Sequence, residues 1–301
     1  MRLSVVVTIV DSGEALRRCL NSLEAQSEAG IEVIVPWDSS LSGMPELAGR
    51  FRNFRFLDLG PIEPAQPLHS PRGQHELFDR RRSAGLAAAT GDVVAILEDR
   101  GVPRHDWAQR MLMAHQQLPH AVIGGAIDNG HDAWLAWAVF FCDFNRYQPP
   151  FEAGRRAYVS DVNVGYKRRA LDATRHLWQD RYHETTVHWA LERAGETLYL
   201  SPEFAVDQIR TAITVGGVLR ERFAWGRLFA YTRAKGASPT KRWLWSFAAP
   251  CLPIVLMGRH ALLQARKRRT FGKFLAASPA VLLLLIVWSA GELIGYVTGR
   301  P

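Results

Sequence analysis

At 301 residues, nearly half of them apolar, the chain is long enough for one large α/β domain with a tail and too long for a single small module. A net charge of +8 would suit a nucleic-acid binder, but twelve basic residues and no acidic one fall between Arg222 and Gly291, and the remainder holds 25 basic against 29 acidic residues. Basic residues interleaved with apolar runs fit anionic phospholipid, so membrane lipid is an expected partner and nucleic acid is not.

Leu3–Val10 is valine-rich and apolar, the pattern of a strand buried on both faces of a parallel sheet. It is too short for a signal peptide and is followed at once by Asp11, so the front domain is expected in the cytosol. Apolar residues at Ala15, Leu16, Cys19, Leu20 and Leu23 predict a helix over about 14–26. Strands are predicted at 31–35, 54–59 and 93–97, a proline-rich loop at 60–73 and a short helix at 76–89. Further on, 121–127, 158–166 and 197–200 read as strands and 183–194 as a helix. The alternation predicts an α/β fold with a doubly wound, mostly parallel sheet, whose ligands bind beyond the carboxyl ends of the strands. Three polar clusters lie at such ends: Asp11-Ser12, Asp38-Ser39-Ser40 and Glu98-Asp99-Arg100. Each alone is also an ordinary turn or helix cap; their convergence is what points to a site.

The tail carries two uncharged apolar stretches. Trp243–Met257 is interrupted by Pro250 and Pro253, and as a helix would rise only about 22 Å, short of a bilayer core of about 30 Å. Phe274–Gly291 is longer and continues past Glu292. Between them Gly258–Lys273 holds six basic residues and no acid, which favours the cytosolic side. The expected organisation is therefore a domain over 1–235 and a helical, basic and apolar membrane-associated tail over 236–301. Cys19, Cys142 and Cys251 are scattered at no metal-ligand spacing and read as reduced, buried thiols. No Gly-x-Gly-x-x-Gly follows the first strand and no Gly-Lys-Ser/Thr loop is present, which disfavours hydride transfer and P-loop hydrolysis.

Five segments in order resemble family 2 glycosyltransferases of the GT-A fold, bacterial membrane-associated type. They are the opening strand and helix through Leu23, Glu32–Ser40 as the second strand with its Asp-Asp-Gly-Ser turn, and Arg82–Asp92 as the Arg-Asn-Ala-Gly helix. Leu97–Pro103 stands at the Asp-x-Asp turn, and Asn163–Arg168 looks like the acceptor-side segment. Together they cover about 3–230.

The resemblance implies an inverting transfer of sugar from a nucleotide-sugar donor to a lipid-linked or saccharide acceptor. Asp11 and Asp38 match positions that recognise the base, although Trp37 replaces the first Asp of its turn and an indole accepts no N–H hydrogen bond. Arg82 and Arg222 would contact the donor phosphates; Arg222 is equally a candidate for a lipid-facing basic surface. Glu98 and Asp99 match ligands of a divalent cation, Mg or Mn, but Arg100 stands at the third position, where its guanidinium could replace the cation. Glu184 matches the acceptor-side general base, with His183 in place of a preceding acid, and Asp180 is the runner-up. The departures at Trp37, Arg100 and His183 leave one rival, a non-catalytic GT-A-like binding protein at the membrane.

Overall fold

The computed structural model describes residues 1–27, 30–67 and 70–300. Residues 68 and 69 of the expected 60–73 loop lie outside the described residues. In chain order the elements are β1 Leu3–Thr8, α1 Gly13–Glu24, β2 Glu32–Trp37, α2 Met44–Arg50, β3 Arg55–Asp58, α3 Pro71–Ala88 and β4 Val93–Glu98. Next come β5 Gly101–Pro103, α4 Trp107–Gln117, β6 Val122–Asn129, α5 Trp134–Phe144, β7 Gly154–Arg155, β8 Asn163–Lys167, α6 Arg168–Ala173, α7 Arg175–Trp178, α8 Glu184–Arg193 and β9 Leu198–Gln208. The chain closes with α9 Val215–Ala234, α10 Pro239–Ala248, α11 Leu252–Lys267 and α12 Phe271–Thr298.

The sheet runs β3-β2-β1-β4-β8-β6-β9-β5, with β7 beside β9. β1 is parallel to both β2 and β4, and β2 to β3. β8 is antiparallel to β4 and β6 and sits between them, so the sheet is mixed in its second half. Every residue of β1 is buried, as its unbroken apolar run requires of a central parallel strand. α3 packs on β1 and β2, and Gly85 makes that approach possible: a Cβ there would lie 2.4 Å from a Val6 methyl.

Three elements differ from expectation. α3 starts at Pro71 and not near 76, because Ser70 caps it through a 3.1 Å bond from the Gly73 N–H and proline suits a first turn. β9 continues through Pro202 to Gln208; its far end pairs with β5 as well as with β6. The expected strand 158–166 is confined to Asn163–Lys167.

The chain divides into two compact units, one of 1–130 with 147–209 and one of 131–146 with 210–301. Segments 131–146 and 210–235, expected in the front domain, therefore pack with the tail. In the second unit α9 and α12 touch backbone to backbone: a Cβ on Gly226 would lie 2.2 Å from the Trp288 carbonyl oxygen, and one on Gly291 2.3 Å from that of Phe223. Cys19, Cys142 and Cys251 are free; Cys19 is buried, and Cys251 is exposed where a buried thiol is expected.

Candidate active site

The paired ends of β1 and β4 meet at Thr8 and Glu98, and a group of charged side chains lies around them. Arg82, on α3, lies at the centre. Its guanidinium bonds Thr8 Oγ1 at 3.1 Å, Glu98 Oε1 at 3.0 Å and Asp161 Oδ2 at 3.0 Å, with Asp79 Oδ1 at 3.6 Å. Burial pushes the Asp79 carboxyl up to about 7 although Arg82 pulls it down, and burial likewise raises Glu98 against the same guanidinium. Removing carboxylates from water penalises their charge, and the shared arginine offsets part of that penalty.

Arg81, one residue earlier on α3, reaches elsewhere. Its Nε donates to Asp38 Oδ2 at 2.6 Å, its Nη1 to the Ile9 carbonyl at 2.8 Å and its Nη2 to Ser40 Oγ at 3.1 Å. Asp38 is thereby 1% exposed, and it also accepts the Ser40 N–H at 2.9 Å. One arginine thus ties the loop after β1 to the loop after β2.

The turn after β4 is engaged by protein partners at all three positions. Glu98 accepts from Arg82. Asp99, 1% exposed, accepts the backbone N–H groups of Asp11 at 3.0 Å and Ser12 at 2.7 Å. Burial raises the Asp99 carboxyl to about 7 despite these bonds. Arg100 clasps Asp11 with two bonds, Nε to Oδ2 at 2.8 Å and Nη2 to Oδ1 at 2.6 Å. Glu98 and Asp99, expected as the cation's ligands, have their oxygens directed at an arginine and at main-chain N–H groups, and a positive charge completes the turn. Among the described residues no three His, Cys, Asp or Glu side chains form a metal site made of protein alone. With Glu98 and Asp99 already engaged and a guanidinium beside them, the turn as it stands does not fit a divalent cation.

Glu184 opens α8 behind His183. Its carboxyl is hydrogen-bonded to the Asp161 side chain and held well above the usual carboxylate range, first by burial and then by the Asp161 charge, with Arg82 opposing. One turn on, His188 Nδ1 lies 3.7 Å from Glu184 Oε1 and is buried without a hydrogen bond. His188 Nε2 meets the Tyr166 hydroxyl at 2.6 Å, and Tyr166 meets that of Tyr182 at 2.5 Å. Burial lowers His188 to about 4, so the ring is neutral near pH 7. Asp180 is exposed, on the wall of an open cavity of about 960 Å³ with Arg80 and Ser83.

Arg82 with Glu98, Asp161 and Glu184, Arg100 with Asp11 and Asp99, and Arg81 with Asp38 form three bonded clusters within the system of charged residues in the first unit. Arg222 belongs to the second unit, where it is 3% exposed, forms a fork to Asp143 with two bonds of 2.6 Å and lies over the Trp225 ring at 5.2 Å. Arg81 and Asp161 join the system although no motif in the sequence points to them.

The mixed sheet, with its charged groups beyond the parallel strand ends, is the fold of a GT-A glycosyltransferase. It resembles the mannosyltransferase PcManGT from Pyrobaculum calidifontis in complex with GDP-Man and Mn2+, at a TM-score of 0.58 and 14% identity over 97% of this chain and 86% of that one. It also resembles S. aureus TarS 1-349 in complex with UDP-GlcNAc, at 0.52 and 13%, covering 100% and 93%. The chain belongs to glycosyl transferase family 2, whose model matches residues 4–175. Among curated relatives, glycosyltransferase AglE of Haloferax volcanii is 23% identical over 232 residues, 74% of this chain and 71% of that protein. An uncharacterized glycosyltransferase of Nostoc sp. is 29% identical over 116 residues, 38% of this chain and 33% of its own.

Proposed function

We propose that the enzyme transfers a sugar, with inversion, from a nucleotide diphosphate sugar to a hydroxyl of a lipid-linked or saccharide acceptor at the cytoplasmic face of the membrane. The observation that carries this reading is the position of Arg82, bonded on one side to Glu98 at the strand ends and on the other to Asp161, the partner of Glu184. Strand ends are where such sheets bind ligands, so the donor belongs on the Glu98 side and the acceptor on the Glu184 side. The acceptor oxygen attacks the anomeric carbon as its proton passes to Glu184. The bond to the diphosphate breaks, and its electron pair leaves with the diphosphate. A carboxyl whose proton affinity exceeds the ordinary range is suited to this role, because general-base catalysis is best near the working pH. One base facing one leaving group supports a single displacement, which inverts the anomeric centre.

The membrane reading rests on the second unit. Two helical stretches, Pro239–Lys267 and Phe271–Thr298, are long and apolar enough to cross a bilayer. Trp243, Leu244, Phe247, Ile254, Val255 and Leu262 are exposed on the first of them. These side chains, beside the acid-free basic segment, suit an anionic leaflet. α9 packs along α12 and carries Arg220, Glu221, Arg222, Arg227 and Arg233, charges that favour a partly embedded tail over a full crossing.

The test is transfer by the full-length protein in detergent from UDP-, GDP- and dTDP-sugars to polyprenyl phosphate and saccharide acceptors, with the product anomer assigned by NMR. Product of opposite anomeric configuration supports the proposal. Donor binding without turnover would favour the rival binding protein, which the departures at Trp37, Arg100 and His183 suit.

A further inference from the structure

A departing diphosphate needs positive charge at the place where its negative charge develops. The turn after β4, next to β1, is the natural position for it, yet its two carboxylates are directed into the protein. Glu98 faces Arg82, and Asp99 holds the loop after β1 by two main-chain bonds. The remaining residue of the turn is itself a cation. Arg100 is fixed by two short bonds to Asp11, the first residue beyond the apolar run of the opening strand, and its side chain is 13% exposed. The pair therefore bridges the loops that follow two adjacent parallel strands, in the crevice where a ligand of this sheet lies.

We infer that Arg100, oriented by Asp11, supplies the positive charge that a divalent cation would otherwise bring, so that nucleoside diphosphate binds this chain without metal. The inference rests on the transferase reading and adds its ionic chemistry. A guanidinium is suited to this role. It stays charged at any working pH, and it has five N–H donors, more than the two bonds that Asp11 accepts. Asp11 in this account orients the arginine and is not a contact to the base. The fork in which it holds Nε and Nη2 prevents Arg100 from swinging away, and pre-organisation of this kind lowers the ordering cost of binding.

The experiment measures the affinity of UDP, GDP and dTDP for the full-length chain by calorimetry, in EDTA and then in Mn²⁺. The wild type is expected to bind one of them with a Kd that changes less than about twofold between the two conditions. Arg100→Ala should weaken that binding at least about tenfold in both, the loss expected for a charged hydrogen bond. Arg100→Asp should bind weakly in EDTA and recover in Mn²⁺, since it places a carboxylate beside Asp11 where a cation can be held. Thermal melting of each variant reports on folding.

Wild-type binding that vanishes in EDTA and returns with Mn²⁺ would overturn the inference and leave the transferase reading standing. Unchanged affinity in a folded Arg100→Ala protein would do the same. Absence of binding to all three nucleotides in both conditions would overturn the site itself, and the inference with it.

Discussion

Arg82 Nη1 and Asp161 Oδ2 lie 3.0 Å apart, and through this contact a helix residue beside the first strands meets the residue that, after burial, raises the Glu184 carboxyl most. Arg82 also bonds Glu98, so one guanidinium links the turn after β4 to the start of α8. Removing it would leave Glu98, Asp79 and Asp161 facing one another. Arg82→Ala is expected to cost about 3–5 kcal/mol of stability, the range for breaking a buried ion pair. Arg82→Lys should recover only part, because an ammonium cannot bond three partners in one plane. Chemical denaturation of the two variants checks this; equal stability of Arg82→Ala and wild type would contradict it.

Glu184→Gln keeps the shape of the side chain and removes the base. Turnover should fall at least about a hundredfold while donor affinity is nearly unchanged. Asp180→Asn, altering an exposed carboxyl on the cavity wall, should leave turnover within a few-fold. Full activity in the Gln variant with an inactive Asp180→Asn enzyme would transfer the role to Asp180.

The raised Glu184 carboxyl also sets a pH dependence. Only its ionised form accepts a proton, so turnover should rise with pH through a limb lying above the ordinary carboxylate range. Asp161 raises that limb, Arg82 lowers it, and the neutral His188 ring faces it at 3.7 Å. Asp161→Asn removes the neighbouring negative charge and should move the limb to lower pH. A limb that does not move would show that Asp161 leaves the base untouched.

Stability has its own pH signature. Burial depresses His115 to about 3, below the ordinary 6.5, so the folded chain resists protonation that the unfolded chain accepts. This contribution is fully present above about pH 6.5 and is lost as pH falls towards 3. Asp79 and Asp99, raised to about 7, act in the opposite sense between about pH 4 and 7, favouring the folded state as pH falls. The difference between wild type and His115→Gln isolates the histidine. Between pH 7 and pH 5 the wild-type Tm should drop further, or rise less, than that of the variant.

In the second unit, Gly291→Val would drive a side chain into the Phe223 carbonyl, 2.3 Å from the first added carbon. Overpacking of this kind costs about 1–3 kcal/mol or more, and the variant should melt earlier in detergent than Gly258→Ala, whose site is open within 4 Å. Flotation of the wild type with anionic but not neutral liposomes would support the leaflet anchor; a chain that stays soluble without detergent would remove it.

How far the sequence speaks is clearest at particular residues. β1, β2 and β4 are readable because buried parallel strands are nearly continuous apolar runs, and the three polar clusters at their ends come with them. Glu184 enters through the resemblance, as the match to the family's acceptor-side acid, since its place at a helix start is by itself an ordinary one. No motif points to Asp161: it falls inside an expected strand, and its role follows from the antiparallel insertion of β8 between β4 and β6, a topology without local signature. Arg81 is hidden because nothing in a run of three arginines says which loops each will reach. The start of α3 is ambiguous in the sequence, since Ser70-Pro71 is a helix opening as well as a loop sequence. Pro202 suggests the end of a strand that in fact goes on, paired with β5 and β6.

Arg81 and Arg82 are neighbours on one helix, turned about 100° from each other by its 3.6-residue period, and they reach different parts of the chain. α3 therefore works as a gauge of fixed length. One residue inserted ahead of Arg81 would rotate both guanidiniums away together, detaching the loops after β1 and β2 and, in the same event, the carboxyls around Asp161. Drift in the helix is penalised at two places at once, whereas the cavity wall around Pro61, Ile62 and Asp180 lies outside both clamps. Substitutions in such a wall would leave the register of the helix, and with it both clamps, untouched.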